Sequence, residues 1–523
     1  MQDQFNKGII EKAPREKGAV THYLPHHYVE RTDKQFTKIR IVFDASAKLR
    51  KELPSLNQCL NKGPKLYNDL TGILLRARLK KYIMTCDIEK AFLQIGINQN
   101  DRDALSQLVK ELEVDTYVDN LLLGIENPEE IFSTYLRLKK IFKEANMNVR
   151  EFTSNAWKQC SEIPECDKLQ ENKTKLLGLN WDINKDNISI KLKEYPKEKA
   201  VTRRNVLSAI AQPFDPLGLI SPIILQGKLL RQKLEENKKL KWDTQAENNF
   251  IIEWKELMLK WDSQEIVIPR HFSSKMSQSK LNFELHGFSD ASAIGIGCAI
   301  YLRIIDGVTI KTQLAFAKSL VVPSALNKAK RTIPCLELHA AKICCTNVKF
   351  VKSELEKSIN ISDIKIWTDS ADVIDFLNSN KEKDRFIKNR VKEIRKYFVA
   401  HIDGKSNPAD LASRGCTPEQ LKSNRNWFEG PEWLAKSKDK WPKSIKEFDP
   451  MSFVLVESNQ PVLEMSLTTI EAIEPLINYD NFSQYKRLKN ATAYFLRAVK
   501  LFLENIKNSK RRKKNCKEAK IEI

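Results

Sequence analysis

The 523-residue chain lacks the features that mark secreted and membrane proteins. Its ten cysteines are scattered and never form a Cys-x-x-Cys pair, which favours a reduced intracellular protein. No apolar run approaches the roughly 18 residues of a membrane span. Residues 1–12 contain no apolar core of a signal peptide. We therefore expect a cytoplasmic or nuclear protein that does not bind membranes.

Two kinds of chemistry are excluded by missing residues. Aspartic peptidases need Asp-Thr-Gly or Asp-Ser-Gly, and neither tripeptide occurs in the chain. A C-terminal zinc-binding cluster is also excluded, because no histidine follows His401 and only Cys416 and Cys516 lie beyond it. There is no internal repeat.

Basic residues outnumber acidic ones: the chain contains 88 Lys and Arg and 67 Asp and Glu, which gives a formal charge of +21. Such an excess favours a polyanionic partner, because neutralising phosphates releases counterions. A lysine-rich proteome would explain the same composition, so the charge alone gives only slight support for nucleic acid as the partner. The basic C-terminal run KNSKRRKKNCKEAK would add non-specific attraction to phosphate.

The length allows roughly two to four domains. Hydrophobic periodicity in the first half predicts short strands and amphipathic helices. These segments lie at 38–46, 81–95, 128–149, 175–183, 187–192 and 200–260. A turn punctuated by Pro and Gly, "PFDPLGLISP" at 213–222, lies within the helical stretch.

A second unit begins near residue 281. Three successive strands precede a long helix with Pro334 in its first turn. A fourth strand, two helical stretches, the strand "FVAHID" and a short helix at "NPADLASRG" follow. This order predicts a mixed α/β sheet, and the whole chain is expected to be a multidomain α/β and α+β protein. A last helix is predicted near 480–506.

Four carboxylates stand at the ends of these elements. Asp290 ends the first strand, Glu337 lies in the first turn of the long helix, Asp369 ends the strand "IKIWTD", and Asp410 opens the last short helix. Alone, each is typical of a helix cap or a surface acid. Together at one sheet edge they would repel one another unless divalent cations neutralised them. Oxygen ligands select Mg²⁺ or Mn²⁺, and two such ions ~4 Å apart promote phosphodiester hydrolysis.

The four motifs "FSDAS", "LELHAA", "WTDS" and "NPADLASRG" resemble the ribonuclease H of BEL/Pao retrotransposon polyproteins. Their acidic residues follow one another at spacings of 47, 32 and 41 residues. The resemblance implies that Asp290, Glu337, Asp369 and Asp410 are catalytic metal ligands. It also implies an RNA–DNA hybrid, or another nucleic acid, as the partner. His401 and Ser370 lie nearby in sequence and are interpreted as structural.

The first half resembles the reverse transcriptase of the same elements, in "HYLPHHYVERTDKQFTKIRIVFDASAKL", "CDIEKAFLQI" and "TYVDNLLLG". "FDPLGLISPI" resembles the connecting region that follows it. The resemblance implies that Asp87 and Asp119 are catalytic residues that hold two Mg²⁺ ions. It implies that Lys38 and Arg40 bind the nucleotide triphosphate and that Phe92 is the steric gate against a ribose 2′-hydroxyl. Residues 177–179 fall where the primer-gripping hairpin would lie.

Two departures bear on polymerase activity. Asn120 stands where a second turn carboxylate would be, although its amide oxygen can still act as a ligand and related elements often show the same YVDN turn. More seriously, only 32 residues separate Asp87 from Asp119, and one short helix near 103–113 fills the interval. The similarity breaks near 107/108, through a genomic deletion or a mis-joined gene model. We therefore expect polymerase activity to be lost.

The expected domains are a partial reverse transcriptase at 1–195 and a helical thumb or connection at 196–280. A ribonuclease H-like domain at 281–418 and a basic linker region at 419–523, preceding a missing integrase, would follow. The resemblance implies a retrotransposon Pol fragment whose ribonuclease H-like domain hydrolyses RNA in RNA–DNA hybrids by two-metal catalysis, although whether the chain is an enzyme stays open. The alternative function is that of a non-catalytic nucleic-acid-binding remnant of a transposable element. The sequence does not indicate an oligomeric state.

Overall fold

The computed structural model describes most residues from 24 to 453. The described residues are Phe5, Lys158, and the ranges 24–30, 39–59, 67–89, 114–144, 147–156, 161–169, 173–196, 198–237, 240–272, 281–322, 332–379 and 384–453. They belong to one compact unit that spans residues 1–455. The helices predicted near 103–113 and 480–506 lie outside the described residues. The predicted boundaries at 195, 280 and 418 stay predictions.

The N-terminal part contains a small hairpin and a four-stranded antiparallel sheet. Its elements are β1 (His26–Glu30), β2 (Ile39–Phe43), α1 (Leu56–Cys59), α2 (Leu70–Ala77), β3 (Tyr82–Ile88), β4 (Thr116–Tyr117), β5 (Asn120–Ile125), α3 (Glu130–Glu144) and β6 (Val149–Ser154). The sheet order is β4-β5-β3-β6. The apolar stripe of α3, with Ile131 and Leu138 fully buried, packs against Leu121 and Leu123 of β5. The predicted strands and amphipathic helix are confirmed here.

A second antiparallel sheet follows, together with three helices. Its elements are β7 (Lys173–Leu176), β8 (Leu179–Asp182), β9 (Asn187–Lys191), α4 (Arg203–Ala211), α5 (Ser221–Glu236), α6 (Asn248–Trp261) and β10 (Glu265–Pro269). The order β10-β9-β8-β7 places β10 beside β9, after the chain has passed through all three helices. The predicted hairpin and helices are confirmed, whereas β10 was not predicted.

The third sheet has six strands and both parallel and antiparallel pairs. Its elements are β11 (Asn282–Ala291), β12 (Gly295–Asp306), β13 (Thr309–Val321), α7 (Ile333–Leu355), β14 (Ile361–Thr368), α8 (Ala371–Asn378), α9 (Arg385–Ile394), β15 (Phe398–His401), α10 (Ala409–Arg414), α11 (Pro418–Ser423), α12 (Arg425–Glu429) and β16 (Glu447–Phe448). The order is β13-β12-β11-β14-β15-β16, with β14 parallel to both β11 and β15. This confirms the predicted mixed α/β sheet, to which β16 adds an unpredicted edge.

The edge strand β13, at the other side of this sheet from β16, is covered by α5 and by the loop before it. The amide of Ala317 in β13 donates to the carbonyl of Leu217 at 2.9 Å, and Lys228 of α5 donates to the carbonyl of Ser319 at 2.9 Å. Gly218 adopts a φ of 73°, and a Cβ there would lie 1.8 Å from the Ala317 carbonyl oxygen. Only glycine allows this approach, which protects an edge strand from pairing with another chain.

Buried arginines join the three sheets. Arg76 of α2 pairs with Asp115, next to β4, at 2.6 Å and with Glu354 of α7 at 2.5 Å. Arg270, after β10, pairs with Asp186 in the β8–β9 turn at 2.6 Å and donates to the Lys80 carbonyl at 2.8 Å. Buried pairs of this kind specify geometry more than they add stability, because desolvation offsets much of their attraction.

Among the described helices, none combines the length and the apolarity that crossing a bilayer requires.

Candidate active site

Three of the four predicted acidic residues of the third sheet lie together. Carboxylate oxygens of Asp290, Glu337 and Asp369 all fall within 4.8 Å of one another. Asp290 lies at the end of β11 and Asp369 directly follows β14, its parallel neighbour in the sheet. Parallel strands end at the same sheet edge, so their last residues meet there. Glu337 approaches from the first turns of α7.

Each of these carboxylates is held by a hydrogen bond from another segment. The Ala291 amide donates to Glu337 Oε2 at 3.1 Å, and the Ser413 hydroxyl of α10 donates to Asp290 Oδ2. The side chain of Asn407 donates to Asp369 Oδ1 at 3.2 Å. These bonds fix the direction in which the oxygens point.

Asp410 lies at the exposed margin of this cluster. Its Oδ1 accepts from Arg414 Nε at 2.5 Å, and its side chain is 42% exposed. It is not one of the three residues in the close group. The helix α10 that carries it lies directly on β12, because a Cβ on Gly297 would come within 2.6 Å of the Ala409 carbonyl oxygen.

Burial and mutual repulsion disfavour the ionised forms of the three clustered carboxyl groups. Burial, reinforced by the charges of Asp290 and Asp369, raises the pKa of Glu337 to about 9. Burial raises the pKa of Asp290 to about 6, with Asp369 and Asp410 adding to the effect, while the Ser413 hydrogen bond opposes it. Burial likewise raises the pKa of Asp369. The three carboxyl groups are held close together although their ionisation is unfavourable. Such a set of oxygen ligands fits a hard divalent cation such as Mg²⁺ or Mn²⁺.

The neighbouring residues His401 and Ser370 make local contacts. His401 Nε2 lies 3.1 Å from the backbone carbonyl oxygen of Asp369, and the Ser370 amide donates to Thr368 Oγ1 at 3.2 Å. Both contacts fit the structural roles that the sequence suggested.

Sequence reasoning missed Asn407 and Ser413. Both lie inside the motif "NPADLASRG", three residues before and three residues after Asp410. Their polarity within that motif was the available signal. Their partners on β11 and after β14 could only be seen in the folded chain.

The residues Asp87 and Asp119, which resemble those of a polymerase, lie on the first sheet. Asp87 of β3 lies opposite Asn120 of β5, and the Ile88 amide donates to the Asp119 carbonyl at 2.9 Å. Asp87 and Asp119 both line a cleft of about 840 Å³, whose other walls include residues of the second sheet. The two aspartates therefore face one space.

The turn that carries Asp119 is strained. Val118 has a φ of 59°, an uncommon backbone conformation for a β-branched residue, and such outliers concentrate at functional sites. Asn120 Nδ2 donates to Asp119 Oδ1 at 2.9 Å. The amide therefore acts on the carboxylate as a donor, in a position where a second carboxylate would repel it.

Several predicted polymerase features cannot be placed on this site. Lys38, Phe92 and the interval around 107/108 lie outside the described residues, and Arg40 lies in β2 with its side chain not described. Leu177 and Gly178, with φ values of 48° and 99°, form the turn between β7 and β8, and Leu179 begins β8.

The fold and the acidic cluster define a ribonuclease H-like domain. Residues 202–370 match the sequence model of the Pao retrotransposon-like RNaseH-like domain. This match confirms the resemblance seen in the motifs: residues 202–370 are similar to the ribonuclease H-like domain of Pao retrotransposons. The matched range contains Asp290, Glu337 and Asp369, and Asp410 lies beyond it. The comparison with curated proteins gives no match.

Solved structures show weaker likeness. A native protease–reverse transcriptase of prototype foamy virus is 14% identical over 71% of this chain and 48% of its own, with a TM-score of 0.21. A foamy viral protease–reverse transcriptase in complex with dsDNA is 13% identical over 77% and 79%, with a TM-score of 0.20. RNase H1 from Halobacterium salinarum NRC-1 is 12% identical over 25% and 93%, with a TM-score of 0.15.

This chain spans about half the length of the native foamy virus protein.

Proposed function

We propose that this retroelement Pol protein hydrolyses the RNA strand of RNA–DNA hybrids at the acidic cluster of its ribonuclease H-like domain. The observation that carries the proposal is the convergence of Asp290, Glu337 and Asp369 within 4.8 Å. Asp290 and Glu337 are buried and Asp369 is half-buried, and a bound divalent cation would stabilise the ionised form of all three. The family match over 202–370 supports hydrolysis of RNA as the reaction class.

Asp290, Glu337 and Asp369 would hold the divalent cations, and Asp410 would add a ligand from the exposed side. When bound, the cations supply an activated water and neutralise charge on the phosphate. The chain contributes orientation, because Ser413, Asn407 and the backbone amide of Ala291 hold the carboxylates before substrate arrives. Arg414 neutralises Asp410 in the absence of a cation.

Selection of the hybrid would rest on groove shape and the 2′-hydroxyl, as is usual for recognition of A-form nucleic acids. The formal charge of +21 supports binding to the phosphate backbone, so affinity should fall as salt is added.

The test is cleavage of a hybrid labelled on the RNA strand by the purified chain in Mg²⁺ or Mn²⁺. Asp369→Asn should reduce cleavage more than about 100-fold, beyond what loss of a supporting outer-shell residue usually costs. Hybrid binding should be kept or strengthened, because one negative charge is removed. Asp372→Asn, an exposed acid in the first turn of α8, is the matched control and should cleave normally.

Cleavage by Asp369→Asn at the wild-type rate would contradict the assigned site. A folded wild-type chain that binds hybrid but never cuts it would support the alternative, a non-catalytic nucleic-acid-binding remnant.

We also propose that the chain does not extend a primer. The support is the interval of 32 residues between Asp87 and Asp119, which is too short for the palm segment that shapes a nucleotide pocket. Positioning supplies much of the rate in such a reaction, so two correctly placed aspartates would not suffice.

A further inference from the structure

Asn407 lies in the loop between β15 and α10, with a side chain that is almost fully buried at 4% exposure. Its Nδ2 donates to the Ser289 carbonyl at 3.0 Å and to Asp369 Oδ1 at 3.2 Å. Its Oδ1 accepts from the Ala409 amide at 3.1 Å. Both hydrogens and the oxygen of the amide group therefore have partners.

Each partner belongs to a segment that carries one of the acidic residues. Ser289 immediately precedes Asp290 in β11, Asp369 is contacted directly, and Ala409 immediately precedes Asp410 in α10. The backbone adds a further bond, since the Asp410 amide donates to the Asn407 carbonyl at 3.2 Å. One side chain thus ties together three segments that are distant in sequence.

We propose that Asn407 is a positioning residue for the metal centre. It sets the orientation of the Asp369 carboxylate and the separation between the ends of β11, β14 and the start of α10. The proposal rests on the proposed function, because it assumes that these carboxylates hold divalent cations.

Few other side chains can make this set of contacts. Aspartate has the same shape but no donor for Ser289 or Asp369, and it would place another anion against Asp369. Alanine leaves a buried carbonyl, a buried amide and a buried carboxylate oxygen short of a partner. Serine can still accept from the Ala409 amide, as serines at helix starts do, but is too short to hold Asp369 as well.

The experiment measures Mn²⁺ binding to the full chain by electron paramagnetic resonance, without nucleic acid. Asn407→Ala should weaken Mn²⁺ affinity by about 10- to 100-fold, the usual cost of losing an outer-shell partner. In the cleavage assay kcat should fall by a similar factor while KM for the hybrid stays unchanged, because the buried amide does not reach the substrate. Asn407→Ser, which keeps the helix-start bond, should behave in the same way if the alanine variant folds poorly.

Asn155→Ala is the matched control. Asn155 also bridges segments with three hydrogen bonds, to the Lys81 carbonyl, the Ile83 amide and Asp186, but it contacts none of the acidic cluster. Its loss should leave Mn²⁺ affinity unchanged.

Asp369→Asn serves as the reference for the metal site itself. If it weakens Mn²⁺ binding while both Asn407 variants bind normally, the positioning role is overturned and the site stands. If neither Asp369→Asn nor the Asn407 variants change Mn²⁺ binding, the metal site of the proposed function is wrong as well.

Discussion

Glu337 bears the largest upward pKa shift among the three clustered carboxylates. Its ordinary pKa of 4.5 is raised to about 9 by burial and by the charges of Asp290 and Asp369. The metal-free folded chain therefore holds a proton that the unfolded chain has already lost between these two values. The resulting stabilisation is full below the ordinary pKa and is lost as pH rises through the folded pKa.

Replacing this group should flatten the pH dependence of stability. In the presence of a chelator, Tm of the wild type should decrease as pH is raised from about 5 to about 9. Tm of Glu337→Gln should decrease less over the same range. Thermal unfolding followed by circular dichroism measures this. Glu356→Gln, an exposed change just after α7, is the control and should follow the wild type. Saturating Mg²⁺ should stabilise the wild type more than Glu337→Gln; identical pH profiles without metal would contradict the prediction.

At this scale the sequence allowed four acids to be named as candidates but not the residues that orient them. The motifs made Asp290, Glu337 and Asp369 candidates because their spacing follows strand and helix ends. Asn407 and Ser413 act on groups 118 and 123 residues away along the chain. No local pattern encodes such partners, because they meet only when β11 lies beside α10.

At the scale of elements, the loop at 213–222 depends on one glycine. Gly218 needs both a left-handed backbone and room for the Ala317 carbonyl. Gly307 has a similar φ of 58° with nothing within 4 Å of the position of a Cβ. Comparing alanine substitutions at the two glycines therefore distinguishes the energetic cost of the backbone conformation from the cost of losing the close contact with β13.

Gly307→Ala should lower the free energy of unfolding by about 1 kcal/mol, which is the usual backbone penalty. Gly218→Ala should cost clearly more, on the order of 3 kcal/mol, because the loop must also move away from the sheet edge. Urea denaturation of both variants measures the difference. Equal losses would mean that the loop does not depend on its close approach to β13.

The predicted elements differ from the observed ones chiefly where a strand is short or pairs at long range. Amphipathic helices such as α3 and strands such as β11 follow from local periodicity. The strand β10 pairs with β9 across three intervening helices, and β16 is two residues long. Tertiary contact decides both, so a local pattern gives little indication of either.

At the scale of the whole molecule, the sheet that carries Asp87 and Asp119 is present in the fold, and we expect no primer extension from it. The full-length chain, given a primed RNA template, Mg²⁺ and nucleotides, should produce no extension product above that of Asp119→Ala. The physical reason is the short interval after Asp87, which leaves little chain for a pocket wall. Gel analysis of a labelled primer measures this. Processive synthesis that Asp119→Ala abolishes would refute the expectation.

The Arg76–Glu354 pair affects which parts of such a chain can be lost by mutation. The helix α7 carries Glu337 near one end and Glu354 near the other, so the same helix contributes to the acidic cluster and contacts α2. Gly72 lies against the Glu354 carboxylate so closely that no larger residue fits without movement. Losing α2 would take the arginine partner away from Glu354, so the helix that carries Glu337 depends on α2 for this contact. We therefore expect α2 to be retained as a support for the acidic cluster even in a retroelement copy that no longer adds nucleotides.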